Sequence, residues 1–313
     1  MTARTCLGLG QFSLLGSVLF AVALEAATPT IRNVMPRGGQ RGSSAEVTIT
    51  GAYLSDAEEI FFHSKGITAE KITPENDQRF KATLAIAPDA KLGQHEMRVR
   101  TASGISTVKT FWVGPFPNLT EEEPNSEFDQ AQKVAMNSTV NGVITNEDVD
   151  YYEVEARRGQ RISAEIEAIR LSGALFDPYV AILDAKRFEL ATCDDSDLLL
   201  QDSVASVFAP EDGTYRIEVR DSSYRGAGNF HYRLHLGHFP RPLVAFPAGG
   251  QSGETLNITL MGDPGGPIKQ TIKLPAESDP DFGYFPEHNG TTAPSPNRIR
   301  VSDFSSVREV EPN

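Results

Sequence analysis

The sequence predicts an all-β fold, tandem antiparallel β-sandwiches behind an N-terminal signal peptide, on three observations. The first is an apolar period of two. Val47 and Ile49 alternate with Thr48 and Thr50, Ile162, Ala164 and Ile166 with Ser163, Glu165 and Glu167, and Phe230, Tyr232, Leu234 and Leu236 with His231, Arg233 and His235. Such alternation describes strands with one buried and one wet face. The second is turn punctuation at Gly38-Gly39, Arg158-Gly159, Asp212-Gly213 and Gly226-Ala227-Gly228, which breaks the runs as antiparallel hairpins require. The third is repetition. Pro36 to Gly51 matches Pro247 to Gly262 without a gap, and Glu123-Pro124-Asn125 recurs as Glu311-Pro312-Asn313.

From the N-terminus, Arg4 precedes an apolar run from Leu7 to Leu24, and the small residues Ala26 and Ala27 follow. A basic start, a short apolar stretch and a small-residue cleavage site make residues 1–26 a secretory signal peptide. No later segment approaches the roughly 20 apolar residues of a spanning helix, so no membrane span is expected after cleavage. Of the 2 cysteines, only Cys193 then remains, next to Asp194-Asp195, whose charge disfavours the thiolate. It is expected to act as a small packing residue.

The first module is expected over 28–114, closing in Phe111-Trp112-Val113-Gly114, with Pro115-Phe116-Pro117 as a stiff linker. A central sandwich is expected over 118–237, in which only Glu127 to Ala135 has the pattern for a helical turn. His238-Phe239-Pro240-Arg241-Pro242 links it to a shorter third module over 243–307, with a long loop from Asp279 to Pro296. Residues 308–313 read as the start of a second central-type repeat, cut short.

The central segment resembles the bacterial pre-peptidase C-terminal (PPC) domain. The resemblance rests on Glu123-Pro124-Asn125, Gly142, Asp148-Val149-Asp150-Tyr151-Tyr152, Arg158-Gly159-Gln160, Phe176-Asp177-Pro178, Asp194-Asp195, Ala209 to Tyr215, and Tyr232-Arg233-Leu234, in the family's order. It implies a jelly-roll-like sandwich of exported proteins, and some family members bind Ca²⁺. The first module resembles IPT/TIG-like immunoglobulin-like domains through Pro29 to Pro36, Gly38-Gly39, Val47 to Gly51 and Leu92-Gly93. The third module is a more divergent immunoglobulin-like copy. The predicted series is therefore Ig-like, jelly-roll-like, Ig-like.

Composition narrows the partners. The 42 acidic residues against 29 basic ones give a formal charge of −13, which repels nucleic-acid phosphate and anionic lipid. No nucleic acid is expected as a partner. His-Glu-x-x-His, Gly-x-Ser-x-Gly, Walker and dinucleotide motifs are not found in the sequence, so no catalytic residue is assigned. Asn146, Asp148 and Asp150 offer oxygens at alternate positions, as a calcium loop does, but Tyr151 and Arg157 stand where its Gly and Glu belong. Asp194, Asp195, Asp197 and Asp202 form a second acidic loop. Two readings stay open for Asp148, Asp150, Asp194, Asp195 and Asp197: a Ca²⁺ site, or turn caps and a solvated acidic surface. On a strand, His231 and His235 stand too far apart to chelate one ion, and a wet face shared with Arg233 is expected for both. Tyr224-Arg225, in a Gly-rich loop, is the surface feature with the composition of a contact site.

The expected function is a non-catalytic exported binding or structural protein. Its partners would be an extracellular polymer, a matrix protein or neighbouring domains, and no cofactor beyond Ca²⁺ is indicated. The alternative is the accessory N-terminal region of a secreted hydrolase, a peptidase, with its catalytic domain beyond residue 313.

Overall fold

A computed structural model of the chain describes residues 28–307 and 309–312. The predicted signal peptide, residues 1–26, lies outside the described residues. The fold is all-β, with short 3₁₀ turns at Phe128–Gln130, Ile169–Leu171 and Asp197–Leu199.

In the first part of the chain two sheets face each other. Thr30–Met35, Ser44–Ala52, Arg79–Ile86 and Ile67–Asn76 form one, in that spatial order. The other runs Gly38–Gln40, Lys109–Gly114, Gly93–Thr101, Ala57–Phe62, with its first pair parallel. Alternate side chains fill the space between, among them Val47, Ile49, Phe80, Leu84, Met97, Val99 and Phe111. Gly39 has no room for a side chain, because a Cβ there would stand 2.4 Å from Ile86 Cδ1.

Two five-stranded sheets make the central sandwich. One is ordered Asn118–Thr120, Ser138–Val143, His231–Gly237, Arg161–Glu167, Val204–Phe208, and the other Gln132–Lys133, Asp150–Ala156, Gly213–Asp221, Pro178–Leu183, Glu189–Cys193. Tyr152, Val154, Ile162, Ala164, Ile166, Ile217, Val219 and Leu234 meet in its core. Cys193 packs on this core, and burial together with Asp194 raises its thiol pKa. In the third part, Val244–Phe246, Thr255–Met261 and Ile268–Lys273 form a small sheet over Ile258, Leu260, Ile299 and Val301. Gly249–Gln251 pairs in parallel with Arg300–Ser302, as Gly38–Gln40 does with Lys109–Gly114.

One expectation fails. The alternation of Ser163, Glu165 and Glu167 with Ile162, Ala164 and Ile166 pointed to a wet face, yet all three polar residues are buried, as are Arg233 and His235. The first and third modules cover this face. Gly38 and Gly114 lie against the Arg233 guanidinium, and Asp263 and Ser295 reach in from the other side. Hydropathy assigns charges to water, but here they complement one another: Glu167 with Arg233 at 2.5 Å, Asp202 with Arg170 at 2.6 Å, and Asp263 with Arg161 at 2.7 Å. The linkers close the seam, with Phe116, Phe239 and Ala293 packed together.

Burial opposes ionisation of Glu167, but Arg233 and His235 prevail and hold its pKa down to about 2. A depressed folded pKa means that its contribution is complete above the ordinary carboxylate value and is lost as pH falls towards 2. Acid titration from pH 5 to 2 is therefore expected to expose the seam, read as faster cleavage at the linker 238–242. An unchanged cleavage rate over that range would contradict this.

Candidate functional site

The edge strand Asn118–Thr120 runs parallel to Ser138–Val143, and the chain then crosses to the opposite sheet. Glu121 N–H donates to Asn141 O at 3.0 Å, and Tyr151 N–H donates to Asn125 O at 2.9 Å. The crossing brings Glu121 and Glu123 beside Asp150, the first residue of Asp150–Ala156. Carboxylate oxygens of these three lie within 4.8 Å of one another. Among the described residues, this is the group of acidic, His or Cys side chains whose atoms converge closely enough to share a metal ion.

Asn125, fully buried, completes the group. One terminal atom of its amide stands 2.9 Å from Glu123 Oε2 and 3.2 Å from Asp150 Oδ1. With the NH₂ turned inward it donates to both carboxylates. With the oxygen inward it would face only acceptors and the NH₂ only donors, so the inward NH₂ satisfies both ends of the amide.

Beneath lie Tyr152 and Tyr232, fully buried, with hydroxyls in contact. The Tyr232 hydroxyl is 2.5 Å from Asp150 Oδ2 and 2.8 Å from Glu121 Oε1, and Tyr152 reaches Glu121 Oε1 at 3.0 Å. Val143 N–H donates to the other Glu121 oxygen at 3.0 Å. Burial, then Glu121, pushes the Asp150 pKa up to about 10, and burial lifts both tyrosines well above their ordinary value. Three carboxyl groups thus crowd into one pocket, where burial and the neighbouring Glu121 favour the protonated form of Asp150.

Gly142 makes the tyrosine floor possible, since a Cβ there would stand 2.4 Å from Tyr232 Cζ. Gly142→Ala is expected to push the ring aside and destabilise the protein by about 1–3 kcal/mol, the usual range for overpacking. A melting temperature equal to the parent's would contradict that.

The donor set fits Ca²⁺. It consists of hard oxygens from three carboxylates, without the Cys or His that zinc favours. Glu121, Glu123 and Asp150 would hold such an ion, with water completing its shell.

Of the residues marked in the sequence, Asp150 belongs to this group. Asp148 lies close by but caps a turn, accepting from Val149 N–H at 3.0 Å, Ser126 Oγ at 2.9 Å and Thr145 Oγ1 at 3.1 Å. Asp194, Asp195 and Asp197 are exposed on the segment after Glu189–Cys193, and the fold does not bring them to Asp150. Asp202 is buried, accepting from Ile169 N–H at 2.7 Å and from Arg170. Tyr224 is exposed, with the Arg220 guanidinium 4.4 Å from its ring, and Arg225 pairs with Asp221 at 3.0 Å. His235 is buried beside Thr139 and His231 is half-buried against Asn33, so neither stands on the wet face expected for it.

Glu121, Glu123 and Asn125 were missed as site residues. The available signal was Glu-x-Glu-x-Asn, oxygens at alternate positions of an extended segment.

No family model matches the chain. Over 72 residues it is 36% identical to a probable subtilase-type serine protease of Deinococcus radiodurans, covering 23% of this chain and 10% of that protein. The chain spans about a tenth of the length of this curated relative. Among solved structures it is similar to the glycan-utilization protein SGBP-B of Bacteroides ovatus, in complex with a mixed-linkage heptasaccharide, at 11% identity and a TM-score of 0.25, covering 67% of this chain and 52% of that one. It is likewise similar to the adhesin InvE of Yersinia pseudotuberculosis, at 12% identity and a TM-score of 0.23, covering 83% and 68%.

Proposed function

We propose that the chain is a non-catalytic, exported structural or binding array whose PPC-like central sandwich is stiffened by Ca²⁺ held by Glu121, Glu123 and Asp150. The observation that carries this reading is the convergence of carboxylate oxygens of Glu121, Glu123 and Asp150 within 4.8 Å of one another. The site ties the segment leaving the first module to both sheets of the central sandwich. A cation there fixes the angle at which the IPT/TIG-like first module meets its neighbour. The ionic seam on the same sandwich holds the third module, so the three form a spacer that displays whatever is attached to it.

Limited proteolysis tests this. Cleavage within residues 118–127 is expected to be several-fold faster in chelator than in millimolar Ca²⁺. Equal rates would remove the stiffening role.

A second reading, an accessory region of a secreted peptidase, is favoured by the local similarity to a probable subtilase-type protease. Both readings use the array in the same way, as a rigid support.

A further inference from the structure

The end of the described chain repeats the opening of the central sandwich over more than three residues. Phe304, Glu309, Glu311, Pro312 and Asn313 stand at the spacing of Phe116, Glu121, Glu123, Pro124 and Asn125. Strand register gives the same frame independently. Gln40 pairs with Gly114, and Gln251, its repeat counterpart, pairs with Ser302. Nine positions lead from Gly114 to Glu123, and nine from Ser302 to Glu311.

The first module meets the central sandwich through the outer side of its first sheet. Asn33 Nδ2 is 3.0 Å from His231 Nε2, and Met35, Pro36 and Thr48 share a cleft with Thr120 and Asn141. In the repeat, Asn33 and Met35 correspond to Val244 and Phe246 of the third module, and Thr50, which pairs with Asn33 across the strands, corresponds to Met261. All three are apolar, and they are 53%, 56% and 38% exposed. Val244 pairs with Met261 across the strands, and Leu243, also exposed, extends the strip. Phe304 is 83% exposed, whereas its counterpart Phe116 is 5% exposed. An apolar strip at and beside the positions that make the first junction marks a contact face.

We propose that Leu243, Val244, Phe246 and Met261 dock a second sandwich of the central type, opened by residues 304–313 and seated on the third module as the central sandwich is seated on the first. In this arrangement Glu309 and Glu311, at the repeat positions of Glu121 and Glu123, supply the counterpart of that pair of carboxylates. The incoming sandwich supplies the carboxylate equivalent to Asp150, which lies 25 positions after Asn125 in the first copy. At the position equivalent to His231 it presents an apolar residue to Val244, because a polar one there would be buried without a partner.

Reading the gene past codon 313 is the first arm. A second Asp-x-Asp-Tyr-Tyr-like segment at the matching distance is expected, and a stop codon or an unrelated continuation would overturn the proposal. The second arm is hydroxyl-radical footprinting of residues 28–313 against the longer product carrying the next module. Labelling of Met261 and Phe304 is expected to fall several-fold in the longer product, and to return when Val244→Asp is introduced there. Equal labelling in the two chains would overturn the proposal. So would protection in residues 28–313 that grows with concentration, because it would assign the strip to a second copy.

Discussion

Replacing Arg233 with alanine is expected to destabilise the protein by about 3–5 kcal/mol, the largest effect of any single substitution considered, because it strands a buried carboxylate. Arg233 and Glu167 are 1% and 3% exposed and 2.5 Å apart. Once the guanidinium is gone, the side chain left close to Glu167 is the His235 ring, at 3.3 Å. Glu167 is buried, and Gly38 and Gly114 of the first module lie against the Arg233 guanidinium beside it. The protein then either protonates Glu167 or separates the modules. Arg233→Met combined with Glu167→Leu is expected to recover most of the loss, since two apolar groups of similar volume leave no charge unpaired. Thermal or urea melts measure both variants. A small effect of Arg233→Ala, under about 1 kcal/mol, would mean that the seam is hydrated and that the pair resembles an exposed ion pair.

The second largest effect is expected from calcium. A ligand that binds only the folded state stabilises it by about 2.7 kcal/mol at one hundred times its dissociation constant. Millimolar Ca²⁺ should therefore raise the melting temperature of residues 28–313 by several degrees over chelator. Asp150→Asn keeps the shape of the side chain and its contact with Tyr232 while removing the group that can ionise to bind a cation. It is expected to melt like the parent in chelator and to gain nothing from Ca²⁺. Asp194→Ala and Asp195→Ala, on an exposed segment away from the site, should keep the full shift. A shift that survives Asp150→Asn but disappears with Asp194→Ala would move the ion to the second acidic loop.

Much of the fold was legible in the sequence because strands carry a period of two and because the first and third modules share a run of residues. The run Gly38-Gly39-Gln40 and its copy Gly249-Gly250-Gln251 take the same parallel pairing, as shared spacing implies. The polar face of the central sandwich was not legible. Glu165, Glu167, Arg170 and Arg233 look like solvated residues one at a time, and only their complementarity across strands and modules explains their burial. The candidate site was half legible for a related reason. Asp150 could be picked from its own neighbourhood, but Glu121 and Glu123 reach it only because a parallel edge strand and a crossover close a loop of more than twenty residues. Asp194, Asp195 and Asp197 share its composition without its geometry.

Calorimetric titration of residues 28–313 with Ca²⁺ tests the central claim most directly. The structure predicts one ion per chain for the parent protein and none for Asp150→Asn or for Glu121→Gln combined with Glu123→Gln, with all three proteins folded by circular dichroism. No heat of binding in the parent, or the same single site in the folded variants, would contradict it.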